Sequence, residues 1–104
     1  MTGELWLQIA SSTDGSALVG LVEEAVIGRD YRCDVVVDDR EVSRMHARLS
    51  PDEHAGWLIA DLATKNGTFL NDELLVGPAR VVSGDVIRIG RATCTVVEPL
   101  RQDA

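Results

Sequence analysis

The sequence predicts an all-β fold, a sandwich of two twisted, mostly antiparallel sheets of about ten short strands. Three observations lead there. Short apolar or alternating stretches recur along all 104 residues, with turn residues between them. β-Branched residues mark several of these stretches, Val35-Val36-Val37 above all. No segment sustains a helical period. The one candidate for a helical turn, residues 42–45, is too brief to organise a core.

The elements follow in chain order. Leu5, Leu7 and Ile9 alternate with Glu4, Trp6 and Gln8, the period-2 pattern of a half-buried strand carrying one wide aromatic on its second face. A turn at residues 13–16 leads into an apolar run at 17–22. Residues 24–28 form a strand that ends in a loop, 29–34, before the valine triplet at 35–37. Strands are then expected at 47–50, 57–62, 68–70, 80–82, 86–89 and 93–98. Turns fall at 52–56 and at Asn66-Gly67, the strongest short hairpin signal. Residues 1–98 make one domain, and 99–104 are a polar tail that is expected to fray.

Composition excludes several function classes. With 45% apolar and 26% charged residues, the chain is globular in character and not disordered. No apolar run is long enough to span a bilayer, and the start lacks the basic residues of a secretory signal, so a cytoplasmic location is the default. Cys33 and Cys94 are far apart with no metal or redox spacing, and read as two buried or half-buried thiols. No Cys/His/Asp set has metal-ligand spacing, and no metal or cofactor is expected. Ten basic residues against seventeen acidic give a net charge of −7. Nucleic-acid binding, which draws its affinity from neutralised phosphates, does not fit that balance.

Four clusters remain once the strands are removed, all in or beside loops, where binding groups usually sit. They are Gly28-Arg29, Ser43-Arg44-Met45-His46, Thr64-Lys65-Asn66-Gly67-Thr68 and Gly84-Asp85-Val86-Ile87-Arg88-Ile89-Gly90. Each alone is weak. Arg29 reads as a surface charge, Ser43 as the cap of a short turn, His46 as a structural histidine and Asn66-Gly67 as a chain reversal.

In this order and at these separations, Gly28-Arg29, Ser43-x-x-His46, Asn66-Gly67-Thr68-Phe69-Leu70-Asn71 and the Gly84–Gly90 run resemble the motif set of the forkhead-associated (FHA) domain family. The pattern Val42-Ser43-Arg44-Met45-His46-Ala47 followed by Lys65-Asn66-Gly67-Thr68 resembles bacterial members in particular. The resemblance spans residues 5–97. It implies a two-sheet sandwich with recognition loops at one end and a phosphothreonine-dependent protein-docking function in Ser/Thr-kinase signalling, with no catalysis. By motif, Arg29 would meet the phosphate with its guanidinium, Ser43 with its hydroxyl, and Arg44 as a further donor. Asn66 would hold the ligand backbone beside the phosphothreonine. Gly28, His46, Gly67 and Thr68 resemble positions that shape the loops. The implied partner is a phosphothreonine protein: a Ser/Thr kinase, its substrate, or a flexible segment of a longer parent chain.

The chemistry agrees. A phosphate dianion offers three acceptor oxygens and about −1.5 to −2 charges, and a planar guanidinium matches it. An acidic protein with that task must gather its positive charge at one spot, and Arg29, Arg44 and Lys65 are such a cluster. The resemblance also implies a small apolar niche near Asn66 that favours phosphothreonine over phosphoserine.

Two departures from the family pattern stand out. Lys65 occupies the place before Asn66 where a Ser or Thr hydroxyl is common, and Asp72 follows Asn71 where Gly is common; Asp tolerates the left-handed conformation there. Two other functions compete. One is a phosphate-independent interaction module of the same fold. The other is an enzyme with Ser43 as nucleophile, His46 as base and Asp61 or Asp85 as orienter. The enzyme lacks a nucleophile elbow and a motif-supported oxyanion hole.

Overall fold

In a computed structural model, which describes residues 3–11, 15–54 and 56–98, the chain forms two stacked sheets. The first half contributes β1 (Leu5–Ser11), β2 (Gly15–Leu21), β3 (Ala25–Gly28), β4 (Val35–Val36) and β5 (Ala47–Pro51). The second contributes β6 (Trp57–Asp61), β7 (Thr68–Leu70), β8 (Glu73–Leu74), β9 (Ala79–Val81), β10 (Val86–Ile89) and β11 (Ala92–Val97). One sheet has the order β2-β1-β11-β10-β7-β8 and the other β4-β3-β5-β6-β9. All pairings are antiparallel except β3 with β4. The all-β sandwich expected from the strand pattern is what forms.

Alternation sets the core. Leu5, Leu7 and Ile9 of β1 face inward beside Cys94 and Val96 of β11 and Ile87 and Ile89 of β10. Ile27, Leu49, Trp57 and Ile59 oppose them from the second sheet. Trp57 is buried, and its Nε1–H donates to the Gly3 carbonyl at 3.0 Å, which joins the N-terminal segment to β6. Trp6 lies on the outer face of the first sheet over Gly20 of β2, where the absent side chain makes room for the indole. Cys33 is half-buried, Cys94 is buried, and both are free thiols.

Three expectations need correction. Residues 42–45 form bends and no helical turn; no helix occurs among the described residues. Asn66-Gly67 closes no hairpin. It lies in the connection that carries the chain from β6 in one sheet to β7 in the other. The hairpin turn sits five residues later, where Asn71 (φ 50°) and Asp72 (φ 68°) join β7 to β8. Both central residues are left-handed, as a two-residue type I′ loop requires, and Asp72 stands there in place of glycine. β8 itself was not foreseen: two exposed residues carry no alternation to read. Residues 12–14, Ala55 and the tail 99–104, which include parts of two expected turns, lie outside the described residues.

Because β3, β6 and β10 all run toward one end of the sandwich, their loops gather there. The β3–β4 loop (29–34), the β4–β5 loop (37–46), the β6–β7 loop (62–67) and the Gly90-Arg91 turn make one surface.

Candidate functional site

All nine residues singled out from the sequence lie on this surface or at the strand ends beneath it. Its centre is His46, which is fully buried. Its Nδ1 accepts the Ser43 backbone N–H at 3.0 Å. Nε2 therefore carries the proton and donates to the Gly67 carbonyl at 2.9 Å. One ring thus ties the β4–β5 loop to the β6–β7 loop through backbone groups of both.

The β3–β4 and β4–β5 loops are sewn together by backbone bonds. Arg29 N donates to Ser43 O at 3.0 Å and Asp30 N to Arg44 O at 3.1 Å. Gly28 lies directly against that seam. A Cβ at this position would overlap the Arg44 carbonyl oxygen and touch the Cys33 sulfur, so the close approach requires glycine. The Cys33 thiol donates to the same Arg44 carbonyl at 3.0 Å, and burial pushes its pKa up.

Asp39, which is buried, organises the β4–β5 loop. Its carboxylate accepts Glu41 N at 2.9 Å and Arg91 N at 3.2 Å, while Val42 N donates to its carbonyl at 3.0 Å. The result is a tight turn, Asp39 to Val42, with Arg40 and Glu41 at its corner. Asp61 does the same for the β6–β7 loop. Its Oδ1 accepts the hydroxyls of Thr64 (2.6 Å) and Thr68 (2.7 Å), and Oδ2 accepts Thr64 N at 2.9 Å. Thr64 Oγ1 in turn accepts Gly67 N at 2.9 Å, which leaves Lys65 and Asn66 at the corner. Burial raises the Asp61 pKa, but these donated hydrogen bonds outweigh it and hold the carboxyl below its ordinary value. Gly67 is left-handed (φ 84°), with the Leu74 side chain of β8 against it. The two corners meet where Asn66 Nδ2 donates to the Glu41 carbonyl at 3.2 Å.

Charge is distributed unevenly over this frame. Arg32, Arg48, Arg80 and Arg91 pair with carboxylates, and Arg88 lies over the Phe69 ring at 4.2 Å. Among the described residues, Arg29, Arg40, Arg44 and Lys65 have neither a carboxylate within 4.0 Å nor an aromatic face. All four sit on the three gathered loops. Arg29 is exposed, yet its Nε donates to the Val42 carbonyl at 3.0 Å, which fixes the guanidinium and leaves its two terminal nitrogens free. Asp30, also on these loops, is occupied by Arg32. Arg32's side-chain and backbone donors bring its pKa down to about 2, against a small rise from burial.

The geometry also answers the enzyme reading. Both His46 nitrogens are held by backbone groups, so Ser43 has no base. Asp61 is engaged by threonines, and Asp85 by Val82 N and Asn71 Nδ2. Among the described residues no cluster of His, Cys, Asp and Glu could hold a metal. Sequence reasoning passed over Arg40, and it weighed Asp61 only in the wrong role. It also missed Asp39. The available signal was an Asp at the start of each loop, a common opener of tight turns.

Comparison with known proteins fits this frame. The family model described as FHA domain matches residues 25–90. FhaB, an FHA domain-containing protein of Mycolicibacterium smegmatis, is 36% identical over 76 residues, covering 73% of this chain and 46% of its own length. The chain therefore spans about half of that curated relative. A domain solved in a structural and functional analysis of phosphothreonine-dependent FHA domain interactions superposes with a TM-score of 0.77. It is 29% identical, over 91% of this chain and 99% of its own. Mycobacterium tuberculosis EmbR, solved in complex with a low affinity phosphopeptide, superposes at 0.78 with 26% identity, over 95% of this chain and 26% of its own. Loops held by one buried histidine, on a two-sheet sandwich matched by sequence and by shape, lead to one assignment: the chain belongs to the FHA domain family.

Proposed function

We propose that this chain is a phosphothreonine-dependent docking module of Ser/Thr-kinase signalling, cytoplasmic and without catalytic activity. The observation that carries the reading is the charge distribution. In a protein of net charge −7, the four cations that have no carboxylate or ring partner among the described residues all lie on one loop surface.

In this reading Arg29 and Arg44 meet the phosphate, and the Ser43 hydroxyl completes the set with a hydrogen bond. Each charge-assisted bond contributes roughly 1.5–3 kcal/mol, so three or four anchor a short peptide. Asn66 uses Nδ2 on Glu41, and its Oδ1 takes a ligand backbone N–H, which sets register. Lys65 adds a screened cation, while Gly28, His46, Gly67 and Thr68 hold the loops. The partner is a phosphothreonine protein: a kinase, a kinase substrate or a segment of a longer parent chain. Residues 1–98 act as the unit, since β1, β2 and β11 outside the matched region complete the sheets.

The test is an anisotropy or calorimetric titration with a degenerate phosphothreonine peptide library, with phosphoserine and unphosphorylated libraries beside it. Binding is expected to need the phosphate, to prefer threonine, and to fall at least tenfold in Arg29→Ala. Equal binding of the unphosphorylated library would instead establish a phosphate-independent interaction module.

A further inference from the structure

The two sheets end unevenly along one side of the sandwich, where β2 is the outer strand of one and β4 of the other. β2 runs for seven residues, Gly15–Leu21, and among the described residues no strand pairs with its outer edge. A free edge of that length offers a row of backbone donors and acceptors, which proteins usually guard with lysine, proline or a bulge. β2 has none of these. Residues 15–22 hold no charge and no proline, and β2 pairs with β1 residue for residue.

Opposite this edge the second sheet is short. β4 has only two residues, Val35–Val36, so the inner side of β2 is partly uncovered. Ala17 and Val19 pair with Ile9 and Leu7, both in the core, and so face inward with them. Ala17 is nevertheless exposed and Val19 only half-buried. With Ile9, Val35, Val36 and Val37 they line a cleft of about 190 Å³. A cavity of about 150 Å³ accepts a benzene ring, so this cleft has room for one or two aliphatic side chains. A strand added to β2 would lie about 4.8 Å beyond it and send every second side chain into the cleft.

The rim is acidic. Asp34 lines the cleft, Asp38 follows Val37, and Glu23 lies just beyond the end of β2; all three are exposed. Among the described residues none of the three has a cation within 4.0 Å. Arg32 and Arg48 are taken by Asp30 and Glu24. Arg40, two residues past Asp38, offsets at most one of them. A second copy at this edge would set the same carboxylates against themselves, whereas lysine or arginine is attracted there.

We propose that this side of the sandwich receives an extended segment of a partner protein as an added strand on β2. Its alternate aliphatic side chains fill the cleft, and its lysines or arginines face Glu23, Asp34 and Asp38. Backbone pairing supplies the attachment, while the cleft and the rim select aliphatic residues and positive charge. No residue assigned to the phosphate takes part, so the inference does not rest on the docking function proposed above.

The probe is a short unphosphorylated peptide in which valine or isoleucine alternates with threonine and lysine stands at both ends. It is titrated against the whole chain by anisotropy and by NMR of the backbone amides. Binding is expected, with amide shifts confined to β2 and residues 34–38 and with new exchange protection along β2. Ala17→Lys fills the cleft and adds a cation, and affinity should fall at least tenfold. Asp34→Asn/Asp38→Asn should weaken binding roughly 3–5-fold at low salt and little at high salt. Asparagine can still accept the Val26 N–H that Asp34 holds at 2.9 Å, so this variant keeps the fold if Ala17→Lys does not.

No binding, shifts elsewhere, or equal binding of a peptide with glutamate in place of lysine overturns the proposal. Self-association of the chain that Ala17→Lys abolishes also overturns it, in favour of a second copy at this edge. Phosphothreonine peptides serve as a separate arm. Their failure to bind overturns the docking function and leaves this inference standing.

Discussion

The His46 ring is bonded at both ends to backbone: Nδ1 to the Ser43 amide in one loop and Nε2 to the Gly67 carbonyl in the next. No group of the ring is left for a ligand. Its contribution to the surface is the distance it holds between Ser43 and the Lys65-Asn66 corner.

His46→Ala would leave a cavity and two buried backbone groups without partners, each costing about 1–3 kcal/mol. Chemical denaturation is expected to show a loss of roughly 2–4 kcal/mol, with phosphopeptide affinity falling alongside. An unchanged unfolding midpoint would contradict the bridging role.

Gly28→Ala places a methyl against the Arg44 carbonyl and the Cys33 sulfur, so the seam between two loops must part. The expected destabilisation is about 1–3 kcal/mol by overpacking. Affinity should fall further than stability does, because the same carbonyl belongs to Arg44. Peptide titration of the folded variant checks this.

Ala63 is the first left-handed residue of the β6–β7 loop, at φ 58°. That conformation costs an L-residue about 1–2 kcal/mol, against roughly 0.5–1 kcal/mol of extra chain entropy for glycine. Ala63→Gly is therefore expected to raise stability by up to about 1 kcal/mol, and Ala63→Val to lower it. A thermal melt of the three proteins would reverse this account if Val melted highest.

Acid should act on the same loops. Asp61 is held below its ordinary pKa in the fold, and Asp30 at about 2. A folded value below the unfolded one means that folding favours the carboxylate. The contribution is complete above about pH 5 and is lost as pH falls from about 4 toward 2. Amide protection, taken relative to the intrinsic exchange rate at each pH, is expected to fall through that window at Thr64 and Gly67, whose N–H groups are bonded to Asp61 and to Thr64 Oγ1. Protection unchanged at pH 3 would exclude Asp61 as the organiser.

Much of this was legible in the amino-acid order. Alternation at Leu5, Leu7 and Ile9, and the valines at 35–37, state which way side chains face because a strand's period is two. β8 was illegible for the same reason, since two exposed residues have no period. Asn66-Gly67 misled because local turn chemistry is shared by hairpins and by loops that change sheets. Asn71-Asp72 took the hairpin instead, since the pairing of Leu70 with Glu73 demanded two left-handed residues there.

By itself, then, the sequence determined the fold class, the loops that carry polar residues, and the family those motifs resemble. These depend on local periodicity and on short motifs, which can be read without knowing what lies opposite. Only the tertiary structure decided what lies opposite. It put Arg40 beside Lys65 through the Asn66–Glu41 contact, 25 residues apart in the chain, and it drew Arg91 to Asp39 across 52. Among the described residues it also assigned four arginines to carboxylates and left Arg29, Arg40, Arg44 and Lys65 without one. Which charges are neutralised is a matter of distance between chain segments, and sequence order alone does not contain those distances.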